Sequence, residues 1–491
     1  MDYEFEQILK FFAYPINERQ VFYRFPYTFM NKYDNSVQEA FRDITPIVDF
    51  ILANGIKIRD EDGLNFKIQN LMCIKIQTEQ SDLWIKLSFE DTQDDKAASR
   101  MMDRIESVIM PIERTIYKYI RKDGELFAYI NKDNSWNSDL SGYIGLDAGS
   151  ISINTAVVDE NGTVLEVDYT FTEGDVINNV KKSLANVYEK LPQNMRIMGS
   201  GVTGSGHEIS GAIMNADVYE TELDAHAKAA LHMVPDAKVI FDIGGQDSKV
   251  MYIEDGMLDE AGMNKKCGAG TGSFLNAQAS RLGIPIEQFG EISLRAKKPY
   301  RFSSMCTVFV GRDLIAEQAK GNTKDNIIAG LHRSLATNFF STLGINKKKL
   351  KTPIVFQGGV ASNIGVKKAL EECIEESRGE KVELIVPLFS NVMGAVGMAL
   401  FARSETQGAT KFRGFSDISR IRSEFAECGR APEVRCGSKR LCDLVQLYID
   451  NRLIDTRYGC DGYYALQHSA HARYGYTGAF SEHKETVRKG A

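Results

Sequence analysis

The stretch that decides the fold is FDIGGQDSK, residues 241–249, an apolar strand that ends in two glycines followed by amide, acidic and basic side chains. Glycines at a strand end let backbone N–H groups approach a phosphate, and Asp and Gln side chains can hold a metal ion or a water molecule. Two further motifs, NKKCGAGTG at 264–272 and SSMCTVF at 303–309, each place one cysteine just before a predicted helix. The stretch therefore predicts nucleotide chemistry beside a metal or redox centre.

The same arrangement occurs about a hundred residues earlier. Residues 143–146 predict a strand, Asp147-Ala148-Gly149-Ser150 a turn, and the following residues a returning strand. Asp147 and Asp242 thus both end a strand before a glycine turn. Taken alone, the first turn fits an ordinary tight turn as well as a phosphate site. Two such halves facing each other could grip a nucleotide from both sides, and Asp147 could hold Mg²⁺ through water.

A third glycine turn, FQGGVA at 356–361, follows a predicted strand and precedes a predicted helix over 365–377. Backbone N–H groups at the start of a helix bind anions, because they lack partners within the helix. Gly358 and Gly359 are therefore expected to contact the adenosine or the phosphates.

Composition limits the class of protein. A chain of 491 residues with 43% hydrophobic and 25% charged residues predicts two or three globular domains. It has no apolar run of 18 residues and no basic N-terminal region, so we expect a cytoplasmic protein without a membrane segment. A net charge of −7 argues against nucleic-acid binding. Eight cysteines without a disulfide framework indicate reduced thiols, with metal or redox roles where they cluster.

Pattern divides the chain into an N-terminal α+β domain over 1–139, a nucleotide-binding domain over 140–403, a linker over 404–420 and a Cys-containing C-terminal segment over 421–491. In the first domain, strands at 70–76 and 83–89 predict a hairpin, and apolar spacing predicts a helix over 97–119 that Pro111 breaks or kinks. The polar stretch 131–141 predicts a linker.

The C-terminal segment predicts a hairpin over 444–454 that turns at Asp450-Asn451. Four cysteines flank this hairpin, and they are Cys428, Cys436, Cys442 and Cys460. They could bind zinc or a second iron–sulfur cluster, but their spacing matches no Cys-X-X-Cys knuckle, which favours the alternative of reduced thiols without a ligand.

The motifs together resemble the ATP-dependent activators of 2-hydroxyacyl-CoA dehydratases and the ATPase subunits of benzoyl-CoA reductases, within the superfamily of acetate kinase, sugar kinases, heat-shock chaperones and actin. The motifs that carry this resemblance are IGLDAGS (144–150), VTGSGHEI (202–209), TELDAHAKAA (221–230), DIGGQDSK (242–249), NKKCGAGTG (264–272), CTVF (306–309), GLHRSLA (330–336), FQGGVASNIGV (356–366) and MGAVGMAL (393–400). Two positions depart from the pattern: Ser205 stands where relatives usually have tyrosine, and Ala225 where they often have cysteine.

This resemblance implies an α/β protein with duplicated ribonuclease H-like halves, the actin-like ATPase fold, with an extra N-terminal α+β domain and a small Cys-containing C-terminal segment. It implies that ATP and Mg²⁺ bind between the halves. Asp147, Asp242 and Gln246 would be catalytic, and either Asp242 or Gln246 would orient the attacking water. The implied nucleotide-binding positions are Gly149, Ser150, Gly204, Gly244, Gly245, Gly358 and Gly359.

The resemblance also implies one 4Fe–4S cluster per homodimer, with Cys267 and Cys306 as the two ligands from each subunit. The residue pattern agrees, because a helix N-terminus lowers a thiol pKa and stabilises an anionic cluster. The implied function in anaerobic metabolism is ATP-driven electron transfer from this cluster to a partner iron–sulfur dehydratase or reductase. A reduced ferredoxin or flavodoxin would be the donor.

Two other functions remain open on the sequence. A small-molecule kinase of the same superfamily would bind ATP similarly but has no need of paired cysteines at helix starts. A nucleotide-dependent redox sensor would use the same cluster as a reporter. His226 and His232 lie on a predicted helix over 222–233. They could be ligands, although a lone histidine in such a helix is more often structural.

Overall fold

The computed structural model describes residues 20–26, 44–54, 56–58, 64–68, 72–79, 82–89, 95–122, 125–264, 268–302, 307–427 and 443–459. The two predicted cluster ligands, Cys267 and Cys306, lie outside these ranges, and so do the four C-terminal cysteines that could bind a metal, Cys428, Cys436, Cys442 and Cys460. Their binding of metal therefore stays a prediction.

An antiparallel sheet forms the N-terminal part of the described chain, in the order β2-β3-β4-β5-β1-β6-β7-β8. Its strands are β1 Gln20–Phe25, β2 Ile56–Ile58, β3 Leu64–Ile68, β4 Met72–Glu79, β5 Asp82–Phe89, β6 Tyr117–Lys122, β7 Glu125–Lys132 and β8 Ser135–Asn137. Helices α1 Thr45–Asn54 and α2 Asp95–Ile109 share a core with one face of this sheet. Alternation along β1 places Tyr23 in that core and Phe22 in a second core on the opposite face. The predicted hairpin of β4 and β5 is confirmed.

The helix predicted over 97–119 is shorter than its apolar spacing suggests. It ends at Ile109, and residues 110–112 form a turn around Pro111. Proline has no N–H to donate, so the helical hydrogen bonds stop there. Tyr117–Lys122 instead forms β6, with Tyr117 buried. The break at Pro111 was predicted correctly, and the helical continuation to 119 was wrong.

The predicted linker at 131–141 is part of two sheets. Asp133 and Asn134 form a tight turn with φ values of 51° and 57°, which these two residue types tolerate better than most. β8 then returns antiparallel to β7, and β9 begins at Leu140. Polarity at this point marks a hairpin turn, so the prediction of a linker was wrong.

Two five-stranded sheets follow, in the orders β11-β10-β9-β12-β13 and β16-β15-β14-β17-β18. Their strands are β9 Leu140–Ala148, β10 Ser152–Asp159, β11 Val164–Phe171, β12 Met195–Thr203, β13 Val218–Tyr219, β14 Val239–Ile243, β15 Ser248–Glu254, β16 Met257–Asn264, β17 Ile354–Gln357 and β18 Leu384–Ile385. In the first of these sheets, β9, β10 and β11 are antiparallel neighbours, and β12 and β13 run parallel to β9. In the second, β14, β15 and β16 are antiparallel neighbours, and β17 and β18 run parallel to β14. This repeated topology agrees with the predicted duplication and with an actin-like ATPase fold.

Helices cover both sheets and separate them. They are α3 Val176–Tyr188, α4 His207–Met214, α5 Glu222–Met233, α6 Gly272–Leu282, α7 Phe289–Leu294, α8 Thr307–Ala319, α9 Lys324–Thr342, α10 Ile364–Arg378, α11 Met393–Glu405 and α12 Phe415–Ser419. Short 3₁₀ turns occupy Gly268–Gly270, Ile286–Gln288 and Lys347–Lys349. Residues of α5 and α11 share one apolar core with strands of both sheets, so these two helices lie between the halves. No helix in the described ranges is long and apolar enough to cross a membrane.

A three-stranded antiparallel sheet ends the described chain, with β19 Arg422–Glu427, β20 Asp443–Ile449 and β21 Arg452–Arg457. The predicted hairpin is confirmed, and its turn residues Asp450 and Asn451 have φ values of 49° and 66°. Ile418 of α12 and Leu447 of β20 belong to the apolar core of the first five-stranded sheet. This C-terminal sheet therefore packs on the first half.

Candidate functional site

The equivalent strands of the two halves, β9 and β14, end close to one another and to a histidine of α5. Asp147 of β9 is 6% exposed and Asp242 of β14 is 2% exposed. His226 lies between them, with Nδ1 2.8 Å from Asp242 Oδ2 and Nε2 3.8 Å from Asp147 Oδ2. The two aspartates predicted from the duplicated motif therefore contact one shared imidazole.

Further polar groups surround Asp242. The Gln357 side chain, at the end of β17, donates from Nε2 to Asp242 Oδ2 across 3.1 Å. Lys249 of β15 is 3% exposed, and its Nζ lies 3.0 Å from Asp247 Oδ2 and 4.0 Å from Asp242 Oδ1. Asp242 is thus held by a histidine, an amide and a lysine, which is typical of a carboxylate kept ionised in a buried position.

Burial and charge give the two aspartates different proton affinities. Burial dominates at Asp147 and raises the pKa of its carboxyl to about 6, even though His226 opposes this. At Asp242 burial also raises the pKa, but His226 and Lys249 outweigh it and hold the pKa of that carboxyl well below its usual range. Burial lowers the pKa of His226, and the Asp242 carboxylate outweighs this, so the net direction is upward. The carboxyl of Asp242 is therefore the more acidic of the two.

Glycines allow the backbone to close around Asp147. A Cβ at Gly204, where φ is +89°, would collide with Asp147 Oδ1, and a Cβ at Gly394 would collide with Asp147 Oδ2. At the second half, Gly358 has φ +90°, and a Cβ there would collide with the backbone of Ile243. Gly204 and Gly358 thus occupy corresponding places, each against the end of the first strand of its own half.

The two glycine turns that are predicted to bind phosphate contact each other. Ser150 Oγ donates to Gln246 Oε1 across 3.1 Å, and both residues are exposed. Gly149, Gly244 and Gly245 lie in the same two turns. The structure therefore brings the predicted turn residues of both halves together, and Ser150 and Gln246 are exposed where a nucleotide phosphate chain could reach them.

The second phosphate turn is also bonded to the start of α6. Gly272 N donates to Gly244 O, and Ser273 N donates to Gly245 O, each across 2.9 Å. A Cβ at Gly272 would lie 3.5 Å from Gly245 Cα, so the two backbones are in close approach. The turn and the first residues of α6 therefore form one unit.

The residues present fit a hydrated Mg²⁺ ion. Asp147 Oδ1 is buried and has no hydrogen-bond partner among the described residues. Such an oxygen suits a cation or its water, because Mg²⁺ prefers carboxylate and water ligands. No group of three or more His, Cys, Asp or Glu side chains in the described ranges is placed to hold a metal. A cation here would therefore need phosphate oxygens and water as well.

Sequence reasoning missed three contributors to the site. His226 was predicted to be either a ligand or, more often, a structural residue, Gln357 was given no role of its own beside the glycines that follow it, and Gly394 carried no prediction. The signal for Gln357 and Gly394 was present, because each lies in a motif of the resemblance at the start of a turn or helix. Cys267 and Cys306 lie outside the described residues, so the structure does not place them.

About half of the chain is similar to a known protein family and to proteins of known name. The chain matches the BadF/BadG/BcrA/BcrD ATPase family over residues 144–402. It is 33% identical over 260 residues to the (R)-2-hydroxyglutaryl-CoA dehydratase activating ATPase of Acidaminococcus fermentans, which covers 53% of this chain and 96% of that protein. It is 32% identical over 270 residues to the 2-hydroxyisocaproyl-CoA dehydratase activator of Clostridioides difficile, covering 55% and 97%. A solved structure of the Clostridium difficile activator with bound ADPNP is 30% identical, with a TM-score of 0.48, over 54% of this chain and 95% of that one.

Proposed function

The chain belongs to the BadF/BadG/BcrA/BcrD ATPase family, and we propose that it hydrolyses ATP to drive a low-potential electron from a 4Fe–4S cluster into a partner iron–sulfur enzyme. The names of two relatives support the kind of partner, since both describe activators of 2-hydroxyacyl-CoA dehydratases. In this proposal residues 140–403 form the ATPase unit, 404–420 connects it to 421–491, and 1–139 precedes it.

One observation carries the proposal, the pair of backbone hydrogen bonds from Gly272 and Ser273 to the turn at Gly244 and Gly245. The turn is the predicted phosphate contact, and α6 is the helix that follows Cys267. A change in the turn on nucleotide binding would therefore move the start of α6 directly. Because ligands shift a protein between conformations by binding them unequally, ATP and ADP would set different positions of α6.

The nucleotide would lie between the halves with Mg²⁺. Asp147 would hold the ion through water, and Gly149, Ser150 and Gly204 would contact phosphate from the first half. Gly244 and Gly245 would contact it from the second half, and Gly358 and Gly359 would contact the nucleotide at the start of the turn before α10. Asp242 or Gln246 would orient the attacking water. Positioning and charge stabilisation are sufficient for this hydrolysis, without a covalent intermediate.

Cys267 and Cys306 would each supply a thiolate, and a homodimer would supply all four ligands of one cluster. The helices that follow them, α6 and α8, are in contact, since a Cβ at Gly311 of α8 would collide with the guanidinium of Arg281 of α6. A movement of α6 would thus reach α8 as well. The cluster would supply one-electron chemistry, with reduced ferredoxin or flavodoxin as donor.

The test is to purify the protein without oxygen and to measure iron, acid-labile sulfide and mass in solution. The proposal expects four iron and four sulfide per dimer. Cys267→Ala and Cys306→Ala should each lose iron, while ATP binding remains. Hydrolysis should release inorganic phosphate and accompany electron transfer from a reduced ferredoxin to an acceptor protein. A variant that keeps its iron, or phosphate transfer to a small molecule, contradicts the proposal.

A further inference from the structure

His226 contacts the predicted catalytic groups of both halves. Its Nδ1 is 2.8 Å from Asp242 Oδ2, and its Nε2 is 3.8 Å from Asp147 Oδ2. The residue is 8% exposed and lies on α5, which is part of the apolar core between the two sheets. His226 thus connects the two aspartates to the helical layer that separates the halves.

The backbone that carries His226 has little room to move. Its neighbours Ala225 and Ala227 are buried. A Cβ at Gly397 of α11 would collide with the main-chain carbonyl of Ala225, so α5 and α11 cross in close contact at this residue. The start of α5 is capped by Thr221, whose hydroxyl accepts from Asp224 N across 3.2 Å. The imidazole therefore presents its nitrogens from a fixed position.

The hydrogen bonds at Asp242 are unevenly shared between its two oxygens. Oδ2 accepts from Gln357 Nε2 and lies next to His226 Nδ1, whereas Oδ1 faces Lys249 Nζ at 4.0 Å. With Oδ2 occupied by two nitrogens, the carboxylate cannot rotate without breaking both contacts. The orientation of Oδ1 is then set by His226 and Gln357, which hold Oδ2.

We propose that His226 is a positioning residue for ATP hydrolysis, which fixes the orientation of the Asp242 carboxylate through Nδ1. This inference rests on the proposed function, because it requires Asp242 to act in hydrolysis. Loss of the imidazole should reduce the rate of hydrolysis more than the binding of nucleotide, since the contacts to the nucleotide come from the glycine turns. Outer-shell partners that orient metal ligands typically contribute about tenfold to a hundredfold in metal affinity or activity, and we expect an effect of similar size here.

His232 on the same helix provides a matched control. Its Nε2 lies 2.9 Å from the main-chain oxygen of Gly162, at the turn between β10 and β11, away from the aspartates. Replacement of His232 by Asn should therefore affect the stability of the fold without affecting the rate of hydrolysis. A purely structural role for His226 would give the same result as at His232.

The experiment compares steady-state ATP hydrolysis by anaerobically purified full-length protein carrying His226→Ala, His226→Asn, His226→Gln or His232→Asn. The Asn amide nitrogen can replace Nδ1, and the Gln amide nitrogen can replace only Nε2. We expect kcat to fall about tenfold to a hundredfold in His226→Ala and His226→Gln, with KM for ATP changed less than about threefold. His226→Asn should recover most of kcat. The kcat of His232→Asn should match that of the unsubstituted protein.

Two results would overturn the inference. One is a kcat for His226→Ala within about twofold of the unsubstituted protein. The other is equal recovery by Asn and Gln, which would show that Nδ1 has no special role. Should His226→Ala fail to fold, the Asn and Gln pair still decides. Absence of ATP hydrolysis in the unsubstituted protein would instead contradict the proposed function, so the two failures are distinct.

Discussion

Arg24 of β1 donates a hydrogen bond from Nη2 to the main-chain oxygen of Val164 in β11, across 3.0 Å. The arginine is 5% exposed, and its Nε lies 2.5 Å from Asp82 Oδ2 in the neighbouring strand β5. Its Nη1 also lies 3.4 Å from Leu165 O. A buried cation on the N-terminal sheet thus bonds to the outermost strand of the first ATPase half.

Replacement of Arg24 by Ala should destabilise the protein strongly. The change removes the contacts to β11 and leaves the Asp82 carboxylate buried without its arginine, which typically costs about 3–5 kcal/mol. We expect a lower midpoint of urea unfolding and faster proteolysis of the N-terminal sheet. The double replacement Arg24→Met with Asp82→Leu should recover part of this loss, because it removes both charges. Equal midpoints for Arg24→Ala and the unsubstituted protein would show that this contact does not stabilise the junction.

Gly145 of β9 and Gly394 of α11 lie where this strand and this helix are in close contact. Replacement of each by Ala should impair the protein in a different way. At Gly145 a Cβ would collide with the backbone of Ala395 and Ala399, which cannot yield, so overpacking should cost roughly 1–3 kcal/mol or more. At Gly394 the obstacle is the carboxylate of Asp147, which can rotate. Gly394→Ala should therefore retain most stability but lose about a hundredfold in kcat through displacement of Asp147. Thermal melting and ATP hydrolysis on both variants check this, and loss of stability alone at Gly394 contradicts it.

Asp242 and Gln246, the two candidates for orienting water, should separate by mutation. Asp242 is buried and held by His226 and Gln357, whereas Gln246 is exposed and accepts from Ser150. Asp242→Asn should lower kcat by about a hundredfold or more, as expected when the group that orients the attacking water is lost. Gln246→Ala removes one exposed hydrogen bond and should change kcat by about tenfold or less. The reverse order of effects in ATP hydrolysis would assign the water to Gln246.

His332 should make the second half sensitive to acid. It lies on α9, is 1% exposed, and burial lowers the pKa of its imidazole from 6.5 to about 3. The unfolded chain therefore takes up a proton before the folded one as the pH falls, and stability present at pH 7 is lost progressively below the unfolded pKa. This single group should account for about 2 kcal/mol between pH 7 and pH 5.

The measurement is urea unfolding at both pH values for the unsubstituted protein and for His332→Gln. The pH-dependent loss should be smaller by about 2 kcal/mol in the variant, whatever its stability at pH 7. An identical loss in His332→Gln and the unsubstituted protein would mean that His332 is accessible to protons in the folded state.

Local chemistry was sufficient to predict the turns that build the site. Asp147 and Asp242 each precede a glycine at a strand end, and that pattern alone placed them in equivalent positions of two repeated sheets. The hairpin at Asp450 and Asn451 followed from the same kind of signal, because both residue types accept a positive φ. Where one short segment determines its own backbone, sequence reasoning was successful.

Contacts between distant segments were beyond such reasoning. His226 lies in an Ala-rich helix whose spacing predicts only a buried face, and its role depends on strands 16 and 79 residues away in sequence, counted to Asp242 and Asp147. The apolar spacing of the sequence also predicted a helix beyond Ile109, whereas in the structure the chain turns at Pro111 and enters a sheet. The partner of a side chain is set by topology, which periodicity does not contain.

Coupling of the phosphate turn to α6 can be tested at Ser273, whose N–H donates to Gly245 O across 2.9 Å. Ser273→Pro removes this N–H, and proline is tolerated in the first turn of a helix. Ser273→Ala is the matched control, because it removes only the hydroxyl, which lies 3.0 Å from Thr271 Oγ1. We expect Ser273→Pro still to hydrolyse ATP. Its cluster should be reduced to the same extent with ATP as with ADP, and electron paramagnetic resonance measures that extent. Ser273→Ala should retain that difference. If Ser273→Pro responds to nucleotide as fully as Ser273→Ala does, the hydrogen bond to Gly245 does not transmit the nucleotide state, and the movement of α6 must arise from another contact.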